Sequence, residues 1–132
     1  MPAPNIVRPV SEWSDPRHRR GLSGELAVAR WLEGQGWGIE AHRFRFGRHD
    51  IDLIARQGNQ VAFIEVKTRG STEFGTGAES IGYRKRALIQ LVAEVWRARH
   101  GRAGELYRFD VVLVGWGRKL VVLHLPDAWR AG

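Results

Sequence analysis

Three carboxylates and a lysine interrupt a segment that otherwise has the composition of a buried hairpin. The stretch HDIDLIARQGNQVAFIEVK carries Asp50, Asp52, Glu65 and Lys67 among Ile, Leu, Val and Phe residues. Carboxylates are hard oxygen donors that suit Mg²⁺ or Mn²⁺. An ammonium beside them can orient and help deprotonate a water molecule that attacks phosphorus. These residue types are therefore compatible with a site that hydrolyses phosphate esters.

The turn between the two predicted strands decides which of these residues share a face. Gly58-Asn59 suits a two-residue type II′ turn, because glycine fits its first central position. Counting outward from this turn places Asp52 opposite Glu65 and Asp50 opposite Lys67, all on one face. The other face is predicted to be the packed core, and it contains Ile51, Leu53, Ala62, Ile64 and Val66.

Two carboxylates that face each other across a sheet repel, because their Cβ atoms are only about 5 Å apart. Either one of them holds a proton, or a cation lies between them. Mg²⁺ typically takes one or two carboxylates and completes its shell with water and phosphate. Asp52 and Glu65 thus fit a catalytic metal site better than a structural cage. The alternative is a structural cluster in which Lys67 pairs with Asp50.

A third carboxylate lies on a helix predicted from Ser23, as N-cap, to about Gln35. Glu25 falls inside the apolar stripe of this helix. A charged residue on a packing face is unusual unless it is paired or binds something. Glu25 is therefore either a third contact to the metal site, direct or through water, or a carboxylate favoured by the helix macrodipole.

The remaining elements position these residues in one domain. We predict a strand over 37–46, the hairpin, a Gly-rich loop over 70–79 and a second helix over 81–100. Two strands follow over 106–114 and 120–125, linked by a turn at 115–118, and Pro126 ends the last. The resulting order α-β-β-β-α-β-β predicts an α/β sandwich around a mixed sheet. The apolar stripe of the second helix consists of Ile81, Leu88, Leu91, Val92, Val95 and Trp96.

Composition limits the class of protein. The 132 residues carry a formal charge of +7 with a pI near 11.0, which attracts phosphate-rich polymers. The codon bias of a G- and C-rich genome is the alternative explanation for the many arginines. The chain has no cysteine, no membrane-spanning apolar run and no secretion signal, so we expect a cytoplasmic protein. Residues 1–20 are predicted to form a flexible basic arm before a single domain of residues 21–132.

The ordered set of a helix glutamate, a strand aspartate and an E-x-K strand resembles the PD-(D/E)xK, or restriction-endonuclease-like, nuclease superfamily. It looks most like the archaeal Holliday-junction resolvase branch. Five segments, from about Gly21 to the C-terminus, are together similar to the YraN family of small bacterial proteins. They are ELAVARWLEGQGW, DIDLIARQGNQVAFIEVKTR, the loop with Phe74-Gly75, the helix start Tyr83-Arg84-Lys85-Arg86, and RFDVV.

The resemblance implies a role for each matched residue. Asp52 and Glu65 would hold Mg²⁺ or Mn²⁺, with the backbone carbonyl of Val66 as a further ligand. Lys67 would assist the attacking water, and Glu25 would support the metal. The chain departs from the family where His49-Asp50 replaces Gly-Glu, which keeps the acid but loses the freedom of glycine. The set of four catalytic residues is intact.

The expected partner is DNA, recognised through its backbone and shape, because no base-reading helix or zinc finger is visible. Branched DNA and a homodimer are suggested by the resolvase likeness alone. We expect neither a membrane nor a small-molecule cofactor. The competing functions are a non-catalytic nucleic-acid-binding module of the same fold and a protein that docks a partner through exposed Trp residues. The predicted DNA-binding residues are Arg19, Arg20, Arg69, Arg84, Lys85 and Arg86.

Overall fold

The computed structural model describes residues 19–70, 82–116 and 120–129, without the side chains of 19–23, 69, 70, 116 and 120. The predicted order α-β-β-β-α-β-β is confirmed. Within these ranges no helix is both long and apolar enough to cross a membrane. The elements are α1 (Arg19–Gly34), β1 (Gly38–Phe46), β2 (His49–Gln57), β3 (Gln60–Gly70), α2 (Tyr83–His100), β4 (Leu106–Trp116) and β5 (Leu120–Trp129).

The five strands form one mixed sheet in the order β1-β2-β3-β4-β5. Neighbouring strands are antiparallel except β3 and β4, which run parallel. A parallel pair needs a crossover connection, and α2 lies in that connection. One core cluster packs with α1 and the other with α2, so the sheet lies between two helices and is apolar on both faces.

The hairpin register follows the prediction near its turn and departs from it near the acidic residues. Gly58 has a φ of 60°, as a turn with glycine in the first central position requires. The ladder between β2 and β3 includes Leu53 paired with Ile64, as predicted, and ends there. The expected cross-strand pairs of Asp52 with Glu65 and of Asp50 with Lys67 are therefore wrong within these two described strands. The strands separate where the carboxylates begin.

The alternation of faces along β2 also breaks at this point. Leu53 is buried as predicted, in the cluster that packs with α1, but Ile51 packs in the α2 cluster together with Ile54. Strict alternation would place residues three positions apart on opposite faces. The change of phase coincides with Asp52 on β2 and with Arg43 on β1, whose φ of 53° is left-handed. The prediction that Ile51 shares the face of Leu53 is wrong because the backbone is irregular here.

The face that carries the acidic residues is also part of the core. Phe63 and Ile54 are buried on that side, beneath α2. The predicted division of the hairpin into an apolar face and an acidic face is therefore wrong, and near the acidic end Ile51 packs on the α2 side, where Glu65 also lies. Towards the turn, both faces are packed, since each is covered by a helix.

Both helices differ in detail from the prediction. α1 begins at Arg19, so Ser23 lies inside the helix and is not its N-cap. α2 packs chiefly against β1 and β2, and Leu91 is 52% exposed although it was predicted to lie on the apolar stripe. The buried residues of α2 are Ile89, Val92, Ala93 and Trp96, so Val92 and Trp96 are buried as predicted. Leu88 and Val95 of the predicted stripe are only half-buried.

The last strand continues past Pro126 to Trp129, so the prediction that this proline ends it is wrong. β5 is an edge strand, where a proline does not interrupt a ladder on its outer side. A register shift accommodates the extra residues, because Val111 pairs with Leu125 and Phe109 with Trp129. β4 likewise runs to Trp116 rather than 114. Residues 117–118 of the predicted turn, 71–79 of the Gly-rich loop, Ile81 and residues 1–18 of the predicted arm lie outside the described residues.

Candidate metal centre

The gap between β2 and β3 is filled by a carboxylate. The backbone N–H of Val66 donates a hydrogen bond of 2.8 Å to Oδ2 of Asp52. The ladder has already ended at Leu53, so the Asp52 carboxylate accepts the Val66 N–H in place of a backbone carbonyl of β2. The N–H and C=O of one strand residue point to the same edge, so we expect the Val66 carbonyl to face the gap as well. A carboxylate and a carbonyl oxygen are thus available there.

Glu65 lies on the α2 side of the sheet and its side chain is only 2% exposed. The ammonium Nζ of Lys85, in the first turn of α2, lies 2.8 Å from its Oε2. Lys85 itself is about half exposed, with 48% of its side chain accessible to water. The cation therefore reaches a buried carboxylate from the solvent side.

The negative charges of the half-buried Asp52 and the buried Glu65 are poorly compensated. Burial is the main cause that raises the pKa of Asp52 to about 8, and the charge of Glu65 adds to it. The Val66 N–H and the Lys85 ammonium oppose this shift without cancelling it. Burial also raises the pKa of Glu65, although Lys85 and Lys67 act in the other direction. Without a further cation, the pair therefore holds a proton near neutral pH.

Glu25 is buried as its place in the helical stripe predicted, with 5% exposed, and its charge is well compensated. Its Oε1 lies 3.0 Å from Nε2 of His42 and accepts a hydrogen bond of 3.0 Å from Nε of Arg43, while its Oε2 accepts one of 2.9 Å from Nη2. Burial alone would raise the pKa of Glu25, but these hydrogen bonds outweigh it and hold the pKa below its ordinary value. Glu25 is thus an ionised neighbour whose charge further raises the pKa of Asp52.

The close approach of α1 to β3 brings Glu25 to the sheet. A Cβ atom on Gly24 would come within 2.5 Å of Oγ1 of Thr68, so any larger residue would require the Thr68 hydroxyl to move. Both oxygens of Glu25 are already engaged by His42 and Arg43. Its predicted contact to a metal, direct or through water, stays a prediction.

The donor set suits a divalent cation that takes most of its ligands from water and phosphate. Across residues 19–70, 82–116 and 120–129, no three His, Cys, Asp or Glu side chains are arranged to hold a metal ion. Asp52, Glu65 and the Val66 carbonyl form a smaller set, of the size that Mg²⁺ uses together with water and phosphate. The Lys85 ammonium on Glu65 demonstrates that a cation can be accommodated at this point. The residues present therefore fit Mg²⁺ or Mn²⁺.

Lys67 lies near this pair on β3 and is half-buried. Its positive charge lowers the pKa of Glu65, which places it within electrostatic reach of the carboxylate. Asp50 is exposed and lines a neighbouring cleft. Lys67 therefore lies within electrostatic reach of Glu65, and its predicted role toward an attacking water stays a prediction.

A basic cleft adjoins the carboxylates. Its volume is about 410 Å³, and its lining includes Arg84 and Lys85, two of the predicted DNA-binding residues. Arg86 instead places its guanidinium over the ring of Trp129, at 5.6 Å from the ring centroid. Arg19 and Arg20 open α1 and Arg69 lies on β3, but their side chains are outside the described part of the chain. The other lining residues are Arg48, His49, Asp50, Leu88 and Ile89.

Sequence reasoning missed the basic partners of the buried acids. His42 and Arg43 were predicted only as strand residues, and Arg48 was given no role. One signal was available: a glutamate on a packing face requires a cation, and the segment AHRFR in the next element supplies several basic groups. The pairing of Lys85 with Glu65 had no comparable signal, because it depends on where α2 lies on the sheet.

The comparisons with known proteins place this chain within a family. Residues 24–114 match the model of the uncharacterised protein family UPF0102. A UPF0102 protein of Moorella thermoacetica is 43% identical over 98 residues, which is 74% of this chain and 82% of the relative. One of Myxococcus xanthus is 34% identical over 122 residues, covering 89% and 95% of the two chains, and one of Rhizorhabdus wittichii is 40% identical over 112 residues, covering 85% and 92%. The resemblance to YraN-like proteins is confirmed, and the chain belongs to the uncharacterised protein family UPF0102.

Proposed function

We propose that the protein is a divalent-metal-dependent endonuclease that hydrolyses DNA phosphodiester bonds. One observation carries the proposal: the half-buried Asp52 and the buried Glu65 lie where β2 and β3 separate, and the pKa of Asp52 is raised to about 8. A buried acidic pair short of positive charge costs stability, and such pairs cluster at functional sites. Lys67 beside them supplies the group that hydrolysis needs.

Each residue has a defined task in this proposal. Asp52, Glu65 and the Val66 carbonyl hold Mg²⁺ or Mn²⁺, which when bound offsets the charge of the phosphate and acidifies a water molecule. Lys67 orients the attacking water and assists its deprotonation. Glu25, locked by Arg43, fixes α1 against the irregular strand at Asp52 and supports the metal site from that side.

The basic cleft supports a polyanionic substrate. Arg48 and Arg84 line it beside Lys85, and the whole chain carries a formal charge of +7. Arginine contacts phosphate in a planar, bidentate manner that is independent of base sequence. We therefore propose recognition of the DNA backbone and shape. Branched or junction DNA and a homodimer remain suggestions of the resolvase likeness.

A non-catalytic nucleic-acid-binding module is the second candidate, favoured by one specific observation. The ion pair between Lys85 and Glu65 stabilises the acidic residues without a metal. Docking of a partner through exposed tryptophans has less support, because among the described tryptophan side chains Trp37, Trp96 and Trp129 are buried and Trp31 is half-buried. Lys67 beside the acidic pair favours the enzyme over both.

A cleavage assay separates the candidates. Labelled Holliday junctions, flaps and duplexes are incubated with the protein in Mg²⁺ or Mn²⁺, next to Asp52→Asn and Lys67→Met. We expect each substitution to slow cleavage by roughly 1,000-fold, since the metal and the lysine each supply several kcal/mol to the transition state. Glu33→Gln, at an exposed position of α1, is the matched control and should cleave like the parent.

Two outcomes contradict the enzyme. The absence of metal-dependent cleavage by the parent on every substrate would leave the binding module. Equal cleavage by the parent, Asp52→Asn and Lys67→Met would assign the activity to a contaminant.

A further inference from the structure

We propose that Lys85 is a resident cation that occupies the metal's place on Glu65 in the metal-free protein and must leave before a divalent ion binds. This inference rests on the proposed function, because it concerns the same carboxylates. It assigns to Lys85 a role distinct from that of Lys67 on β3. Lys85 then sets the affinity of the site for metal.

The contact between Lys85 and Glu65 has the geometry of an exchangeable occupant. Nζ lies 2.8 Å from Oε2, within the range of a strong charge-assisted hydrogen bond. The carboxylate is 2% exposed, whereas 48% of the lysine side chain is accessible to water. A flexible four-carbon stem that enters from the solvent can withdraw without any change in the backbone. Glu65, in contrast, is fixed in the sheet.

The first turn of α2 does not itself stabilise the positive charge of Lys85. Its first turn reads Tyr83-Arg84-Lys85-Arg86 and contains no acidic residue. Positive charges near a helix N-terminus oppose the macrodipole, so the attraction to Glu65 and Asp52 is what holds the ammonium in place. A cation of higher charge at Glu65 removes that attraction and repels the ammonium.

The Lys85 ammonium, once displaced from Glu65, can move into the basic cleft. Lys85 also lines the basic cleft of about 410 Å³, together with Arg48 and Arg84. A phosphate group bound there gains a further positive partner when the lysine withdraws from Glu65. Displacement by metal therefore converts an internal counterion into a contact for the DNA backbone.

Direct metal titration tests this role without relying on cleavage. Mg²⁺ is added to the DNA-free protein at about pH 9, above the raised pKa of Asp52, and the methyl resonances of Val66 are followed by NMR. We expect Lys85→Met to bind Mg²⁺ about tenfold more tightly than the parent, because one charge-assisted hydrogen bond no longer has to be broken. Arg99→Met removes the same charge from an exposed position near the other end of α2 and should leave the Kd unchanged.

The outcomes distinguish this inference from the proposed function. Equal Mg²⁺ affinity in the parent and Lys85→Met overturns the role of Lys85 while the metal site stands. Weaker binding by Lys85→Met also overturns it, since the lysine would then assist the metal. No saturable binding by either protein removes the metal site and the inference together.

Discussion

Two regions of the same sheet bury acidic side chains, and they differ in how completely the charge is compensated. Asp110 on β4 is fully buried. Its Oδ1 accepts a hydrogen bond of 2.9 Å from the N–H of Asp127, and its Oδ2 accepts one of 3.1 Å from Nη2 of Arg108. Nε2 of His124 lies 2.6 Å from the same Oδ2. Every part of this carboxylate is engaged by a donor.

The pair at the β2–β3 gap has fewer partners. Asp52 accepts the neutral N–H of Val66, and the Lys85 ammonium bonds to Glu65 instead. The pKa of Asp52 rises to about 8 in consequence, chiefly through burial. Burial of an acid is therefore not in itself a sign of function. A missing counter-charge is the sign, because the protein tolerates a less stable arrangement that a ligand can relieve.

Asp110→Ala should give the largest loss of stability. The substitution removes the acceptor of Arg108 and His124 and leaves the Asp127 N–H unpaired, so we expect the free energy of unfolding to fall by about 3–5 kcal/mol. Urea denaturation near neutral pH measures this. Glu33→Ala, at an exposed acidic position, should change it by less than about 0.5 kcal/mol. A small loss for Asp110→Ala would mean that this cluster does not anchor β5.

Asp52→Asn should instead raise the free energy of unfolding. The pKa of Asp52 in the folded chain lies above the ordinary value of 3.8. Between about pH 4 and pH 8 the folded chain therefore keeps a proton that the unfolded chain has already lost. Stability of the parent therefore falls as pH rises through that window, and Asn removes this cost. We expect the variant to exceed the parent by about 1–3 kcal/mol at pH 8 in EDTA.

Urea denaturation from pH 4 to pH 9 checks that sign. Asp110→Asn is the matched control and should be less stable than the parent across the range, since its carboxylate is compensated. An Asp52→Asn variant that is less stable than the parent at pH 8 would contradict the claim that Asp52, unlike Asp110, lacks a compensating charge.

Much of the site could be predicted from residue types and counting. The turn at Gly58-Asn59 gave the register near the hairpin end, and the helical stripe placed Glu25 on a buried face. The separation of β2 from β3 was not predictable in this way, since it accompanies a left-handed Arg43, a non-glycine residue without a turn signal. The position of Lys85 depends on tertiary packing, which no local pattern encodes.

Arg43 offers a way to convert a compensated acid into an uncompensated one. Arg43→Ala removes two hydrogen bonds from Glu25, so we expect the pKa of Glu25 to rise and the protein to lose about 1 kcal/mol of stability. Arg43→Gly loses the same bonds but relieves the left-handed φ of 53°, which should make it about 1 kcal/mol more stable than the Ala variant. Urea denaturation compares the two variants. An Arg43→Ala variant that is as stable as Arg43→Gly, or more stable, would contradict backbone strain at this position.

The most direct test of the metal site is the titration of the Asp52 carboxyl group by ¹³C NMR, with and without Mg²⁺. In the metal-free protein we expect a pKa near 8, because burial and Glu65 disfavour the charged form. Saturating Mg²⁺ should lower that pKa below about 6, since a bound cation favours the carboxylate. A metal-free pKa near the ordinary 3.8, or a raised pKa that Mg²⁺ leaves unchanged, would contradict the assignment of Asp52 and Glu65 as a metal-binding pair.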